Sequence, residues 1–307
     1  MPTFPKRNSR TEPQPAAGEF RAPAGPVRLR GSSAGARDPK PGPPAPPPAG
    51  AAPLPGSRSG PARDELKLCG LAAVRARFAR DPGSIQRLFF DYATGRAIGV
   101  MCKVLAQSKK VYRCVEPAEL EKIAGSIHHG GIVAVVAPPV VREPSVTDVQ
   151  SWAKRGEAVL VLDRVGNAHN LGAIARTAAY FGVPRIVIPA ESGAARPTDA
   201  AHRVAEGGFE HLEVWQTKSL LEFVRQLAAA GFDVIGGATR GGRPAARTAT
   251  GKPVALVLGN EELGLSPEVA AACGRLATIP GQGKIESLNV SVAAGVLMWE
   301  LIGRRDR

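Results

Sequence analysis

From residue 158 onward the chain repeats one alternation: a short, almost wholly apolar run, then a longer stretch with helical spacing. The apolar runs are "AVLVLD" (158–163), "RIVIP" (185–189), "HLEVW" (211–215), "FDVIGGA" (232–238), "PVALVLG" (253–259) and "RLATIP" (275–280). Helical stretches fall between them, around 170–181, 199–206, 218–230, 266–273 and 287–303. Strands apolar on both faces need cover on both, and intervening helices supply the crossovers that parallel pairing demands. The pattern predicts an α/β unit with a mostly parallel sheet and helices on both faces. Ligands of such sheets bind beyond the carboxyl ends of the strands, so the loops after Leu162, Leu258 and Ile279 are the places to look.

Upstream, "ELKLCGLAAVRARFA" has helical spacing, "IQRLFFD" is strand-like and "GRAIGVMCKVLAQSK" is helical. "VYRCV", a short helix "PAELEKIA" and an apolar strand "IVAVVA" follow, which makes a small α/β domain over 64–137. A linker over 138–156 starts Pro-rich and carries a short helix around Val146–Lys154. Residues 1–63 hold 16 of the 28 prolines and too little apolar surface to offset their ordering entropy, so a disordered basic tail is expected there.

The net charge of +13 points to a polyanionic partner, although +7 of it lies in residues 1–63. Outside the tail, patches such as Lys109-Lys110, Arg240 and Arg243 could meet such a partner, nucleic acid or an acidic membrane surface, or simply be solvated surface. Cys69, Cys102, Cys114 and Cys273 form no metal or redox pair and read as reduced thiols. His128-His129 lacks a ligand set, so no metal is expected. No run approaches the ~20 apolar residues of a bilayer span. Residues 1–40 are Arg-rich and acid-poor like a transit peptide, but their prolines and missing apolar face argue against one. A cytoplasmic protein is expected.

Three loops could carry chemistry. In "DRVGNAHNLGAIARTAAYFGV", Asn170 stands where a helix N-cap belongs and Arg176 follows on the helix. "VALVLGNEELGLS" leaves a buried strand through Gly259, where a ligand could approach the backbone, and presents Glu261 at the same edge. In "IPGQGKIESLNVSVAAGVLMWEL", Ser287 or Asn289 can cap a helix that is apolar on more than one face, which suggests a subunit interface or passage through the fold. "GGATRGG" lacks the glycine register of a dinucleotide site, and neither a phosphate-binding GxxxxGK[ST] loop nor a G-x-S-x-G nucleophile turn occurs.

In order and spacing, "NLGAIARTA", "LVLGNEELGLS" and "IPGQGKIESLNVSVAAGVL" resemble the three motifs of the SpoU/TrmH family of RNA ribose 2′-O-methyltransferases, members of the SPOUT group. Residues 66–137, with "IHHGGIVAVV", resemble the ribosomal-protein-like substrate-binding domain that precedes the catalytic domain in many members. The resemblance implies a C-terminal trefoil knot within a methyltransferase domain over 157–307, S-adenosylmethionine as cofactor, structured RNA (ribosomal or transfer) as substrate, and a homodimer. Carried over by motif position, Gly259, Ile279 and Leu288 would give backbone contacts to the cofactor, and Asn170, Arg176, Glu261, Ser287 and Asn289 would build the acceptor site. The family scheme makes the Arg176 position a base. A guanidinium stays protonated below a pKa of about 12, so a phosphate clamp and electrostatic stabiliser suits it better. Glu262-Leu263 departs from the usual Gly-Asn-Glu-Gly-Glu-Gly and implies a changed loop with Glu261 retained.

Two other readings compete. One is a catalytically silent RNA-binding relative, against which the intact motif residues argue. The other is a nucleotide-dependent enzyme on an ordinary doubly wound sheet, which would bind a dinucleotide instead.

Overall fold

The computed structural model describes residues 65–246 and 251–303; the Pro-rich stretch expected as a tail lies outside the described residues. The first sheet comes from β1 (Leu66–Cys69), α1 (Leu71–Arg80), β2 (Ile85–Phe90), α2 (Tyr92–Gly95), α3 (Gly99–Gln107), β3 (Val111–Cys114), α4 (Pro117–Ala124) and β4 (Ile132–Val136). Its order is β1-β4-β2-β3, with β4 antiparallel to both neighbours and β3 parallel to β2. One expectation is corrected here: "ELKLCGLAAVRARFA" is not one helix. Gly70, at φ 90, divides it into a strand and a helix, and its N–H meets the carbonyls of His129 and Ile132. Leu66 and Leu68 fit either period, and pairing with Val136 and Ala134 on β4 decides for the strand.

The second sheet follows α5 (Val146–Lys154), whose start is fixed by a reciprocal Ser145–Asp148 capping box. In chain order come β5 (Val159–Leu162), α6 (Ala168–Tyr180), β6 (Arg185–Pro189), α7 (Asp199–Ala205), β7 (Glu213–Thr217), α8 (Leu220–Ala229), β8 (Asp233–Gly237), β9 (Arg243–Pro244), β10 (Val254–Leu258), α9 (Pro267–Ala272), β11 (Arg275–Thr278) and α10 (Val290–Met298), which runs into a π-helical turn at Trp299–Gly303. Every expected strand and helix of this half is present. The strand order is β7-β6-β5-β10-β8-β11-β9, and every pairing is parallel. Both faces are covered, as continuous apolar strands require. Leu160 and Leu162 pack with Ile174, Leu297 and Met298 on the side of α6 and α10. Val159 and Val161 pack with Trp152, Phe223 and Leu227 on the side of α5 and α8.

The connections after β8 are unusual. β9 pairs beyond β11, whereas β10, next in sequence, lies on the opposite side of β8. Strand β11 thus sits inside the excursion that runs from β8 through β9 to β10, and the chain after it returns to set α10 against α6. Connections rarely thread in this way. This is the arrangement that a knot requires.

The two sheets meet at a polar seam. Arg77 on α1 reaches the buried Glu210 carboxylate at 2.9 Å, and Arg80 donates to the carbonyls of Phe209 at 3.3 Å and Glu210 at 3.1 Å. The Lys67 N–H donates to Asp199 at 3.0 Å. Burial pushes the Glu210 carboxyl up, against the opposing pull of Arg77 and Arg80.

Candidate active site

Strand register brings the site together. Leu258 pairs with Leu162, Val257 with Gly236, and Ala277 with Gly237, so β5, β8, β10 and β11 end at one level. Beyond those ends lies a cavity of about 710 Å³. Its walls are Gly237–Arg240 after β8, Leu258–Glu261 with Gly264 after β10, and 279–290 after β11, with Leu258, Ala277 and Leu297 beneath. Two of the loops singled out from sequence are here. The loop after Leu162 does not line the cavity, and the "GGATRGG" loop, set aside above as a nucleotide site, takes the third wall. That loop follows a strand that only the threaded order places between β10 and β11, which local pattern does not report.

The loop after β10 closes on itself. Asn260 exchanges backbone hydrogen bonds with Gly264 at 3.1 and 2.8 Å, and its side-chain oxygen accepts from the N–H groups of Glu262 and Leu263 at 2.9 and 3.0 Å. The unusual Glu262-Leu263 pair is thereby turned outward, with Leu263 69% exposed, while Glu261 still lines the cavity. Gly259 has a different reason for being glycine than ligand access: a Cβ there would lie 2.3 Å from the Gly264 carbonyl carbon. Sequence reasoning passed over Asp163 and Arg164, which hold this loop from the end of β5. Asp163 accepts from the Ser266 N–H at 2.6 Å, and Arg164 donates to the Gly264 carbonyl at 2.9 Å. Their signal is an acidic-basic pair just past a buried strand.

Three predicted residues form one hydrogen-bonded chain. Asn170 donates from Nδ2 to Glu261 Oε1 at 2.9 Å, and Asn289 donates from Nδ2 to Asn170 Oδ1 at 3.1 Å. Asn289 also caps α10, its Oδ1 accepting from the Ser291 N–H at 2.9 Å. Asn170 is not the cap of α6, as expected from sequence; Asn167 is, accepting from the His169 N–H at 2.8 Å. Two asparagines three positions apart both suit a cap, and the earlier one takes it. Asn170 is left in the first turn, buried, with its amide free to bridge the two loops.

Ser287, Leu288 and Ile279 line the cavity beside Asn289. Arg176 does not line it. It lies further along α6 with its side chain 58% exposed, paired at 2.9 Å with Glu206. Across the mouth, Arg240 and Glu286 stand 3.8 Å apart. Among the described residues no group of three His, Cys, Asp or Glu side chains could hold a metal.

Fold and site define an α/β protein with a ligand-sized cavity at the strand ends and an amide–carboxylate rim beside it. The chain belongs to the SpoU rRNA methylase family, which matches residues 157–299. The family of RNA 2′-O ribose methyltransferase substrate-binding domains matches residues 67–140. The chain is 33% identical to the uncharacterized tRNA/rRNA methyltransferase YfiF of Escherichia coli, over 77% of this chain and 68% of that protein. It is 32% identical to the 23S rRNA (guanosine-2′-O-)-methyltransferase RlmB of Nitrosomonas europaea, over 75% and 88% of the two chains. Among solved structures, the AdoMet-bound rRNA methyltransferase of Sinorhizobium meliloti superposes with a TM-score of 0.62 at 26% identity, over 77% of this chain and 86% of that one.

Proposed function

We propose that this protein transfers a methyl group from S-adenosylmethionine to a ribose 2′-hydroxyl of structured RNA, ribosomal or transfer. The observation that carries the reading is the Glu261–Asn170–Asn289 chain at the rim of the strand-end cavity. It links all three motif loops at the place where an acceptor would meet a bound cofactor. The cavity suits that cofactor: about 710 Å³ falls within the size of small-molecule sites, with an apolar floor for a purine and polar loop backbone for a charged tail. Backbone groups of Gly259, Ile279 and Leu288 would hold it. Once bound, it supplies a methyl group already activated by its sulfonium.

The protein's own residues align the acceptor oxygen and manage its proton. Glu261, fixed at Oε1 by Asn170, and Ser287 and Asn289 orient the ribose. Arg176, which stands outside the cavity further along α6, would clamp a phosphate and stabilise the charge that develops on the ribose oxygen, because a guanidinium cannot act as a base at neutral pH. The proton passes to phosphate or water. Residues 64–137 select the RNA, with 138–156 as the connection to the methyltransferase domain over 157–307.

A homodimer completes this reading. Val292, Val296 and Trp299 follow one stripe of α10 and its continuation at 53%, 37% and 50% exposure, and Tyr180, whose ring stands 5.3 Å from that of Phe181, is 84% exposed. No helix among the described residues is long and apolar enough to cross a membrane, and the four cysteines are unpaired thiols, which suits a cytoplasmic RNA enzyme. The test is label transfer from tritiated S-adenosylmethionine to RNA extracted from cells lacking the gene, with 2′-O-methyl mapping across stable RNA. A specific position should gain the mark. A protein that ignores S-adenosylmethionine and changes no position would overturn the reading. Cofactor binding without transfer would favour the silent RNA-binding relative.

A further inference from the structure

The turn after α7 is built at a cost that helix termination alone does not explain. Glu206 adopts φ 45 and ψ 43, the left-handed conformation that residues with a Cβ avoid. A glycine or asparagine ordinarily fills such a place at a helix end. The turn is also pressed onto α6: a Cβ on Gly208 would stand 2.9 Å from Arg176 Cα and 3.0 Å from Arg176 N. Only glycine permits that approach, and the helical turn approached is the one that carries Arg176. The Glu206 carboxylate then meets the Arg176 guanidinium at 2.9 Å, with both side chains more than half exposed, at 54% and 58%. An exposed pair of this kind returns little stability. Strained backbone that secures so little stability points to a role in function.

We propose that Glu206 is a positioning residue that holds the Arg176 guanidinium ready for an acceptor phosphate. The inference rests on the assignment of Arg176 to the acceptor site. A long arginine side chain loses rotamer freedom when it engages RNA, and a partner that orders it beforehand removes part of that cost from the reaction. The carboxylate occupies one edge of the fork and leaves the remaining donors for phosphate oxygens.

The experiment uses the full chain, tritiated S-adenosylmethionine and RNA from cells lacking the gene, with Glu206→Gly, Glu206→Gln, Glu206→Asp and Arg176→Ala. Glu206→Gly is expected to melt about 2–4 °C higher because the left-handed strain is relieved. Its kcat should nevertheless fall about tenfold, with KM little changed, because orientation and not affinity is lost. Glu206→Gln should lose kcat as well, and Glu206→Asp should recover part of it. In the Arg176→Ala background Glu206→Gly should have no further effect on kcat. Normal kcat in the Glu206 variants, or an undiminished effect without Arg176, overturns the pairing alone. Full turnover by Arg176→Ala removes the assignment of Arg176 and this inference with it.

Discussion

Asn170 spends both ends of its amide inside the protein, donating to Glu261 and accepting from Asn289. Asn170→Asp keeps the shape but turns the 2.9 Å donor toward Glu261 into a second acceptor. The expected cost is about 1–3 kcal/mol at neutral pH, with methyl transfer lowered about 10²-fold as the rim is displaced. Two facing carboxylates raise each other's pKa in the fold, so the stability lost at neutral pH returns as pH falls and one of them takes a proton. Urea midpoints at pH 7 and pH 5 check the sign: the gap to wild type should narrow at the lower pH. Gly259→Ala fails for a different reason. Its Cβ would press on the Gly264 carbonyl carbon at 2.3 Å, so the loop must open. Calorimetry should show weakened S-adenosylmethionine binding, and the melting temperature should drop. Sequence alone named both residues. What it could not supply was the reason, since a cap and a bridge, or a ligand approach and a tight turn, are told apart only by neighbours distant in the chain.

At the scale of elements, the join between α1 and α7 should govern how the protein responds to acid. His202 on α7 is 3% exposed, its ring 4.5 Å from Phe209, and its Nε2 has no hydrogen-bond partner. Burial, and secondarily the charge of Arg77, pushes its pKa from 6.5 down to about 3. Below pH 6.5 the unfolded chain therefore takes a proton that the fold refuses, and stability is lost as pH falls toward the folded value near 3. The slope contributed is about 1.4 kcal/mol per pH unit. Glu210, on the same side of the seam as His202, acts in the opposite sense: its raised pKa favours the fold at low pH, and that contribution is lost as pH rises. Comparing wild type with His202→Gln isolates the histidine, and urea midpoints between pH 6.5 and 4 should fall less steeply in the variant. An unchanged slope would show that the ring is protonated in the fold. None of this was legible beforehand, because periodicity marks α7 as a helix without revealing what packs on it. The strand β1 was hidden for the same reason, and so was the two-residue β9, while α5 and the other six strands of the large sheet carried their own local pattern.

For the whole molecule, the threaded order of β8, β9, β10 and β11 carries α10 back over α6, and that return leaves a surface to account for. Local pattern gives elements but not their crossing in space, so the knot was available only through resemblance, whereas the second apolar face of α10 was visible in the sequence itself. In the structure one face of α10 packs inward through Val290, Ala294, Leu297 and Met298, and Val292, Val296 and Trp299 form the other at i, i+4 and i+7. Phe181 and Trp299 lie 6.2 Å apart and extend that face toward the end of α6. A stable dimer needs more than about 1,000 Å² of buried surface with apolar residues at its centre, and this stripe supplies such a centre. Wild-type protein should therefore sediment at twice the 32.0 kDa chain mass. Val296→Glu with Trp299→Glu places two charges in that face, and charges left unpaired in a dry interface are costly enough to separate the copies. The double variant should sediment as a folded monomer, with near-native circular dichroism. A wild-type protein that is already monomeric at micromolar concentration would remove the dimer from the reading. The cavity and its rim would be untouched by that result, because every residue of the Glu261–Asn170–Asn289 chain comes from one copy.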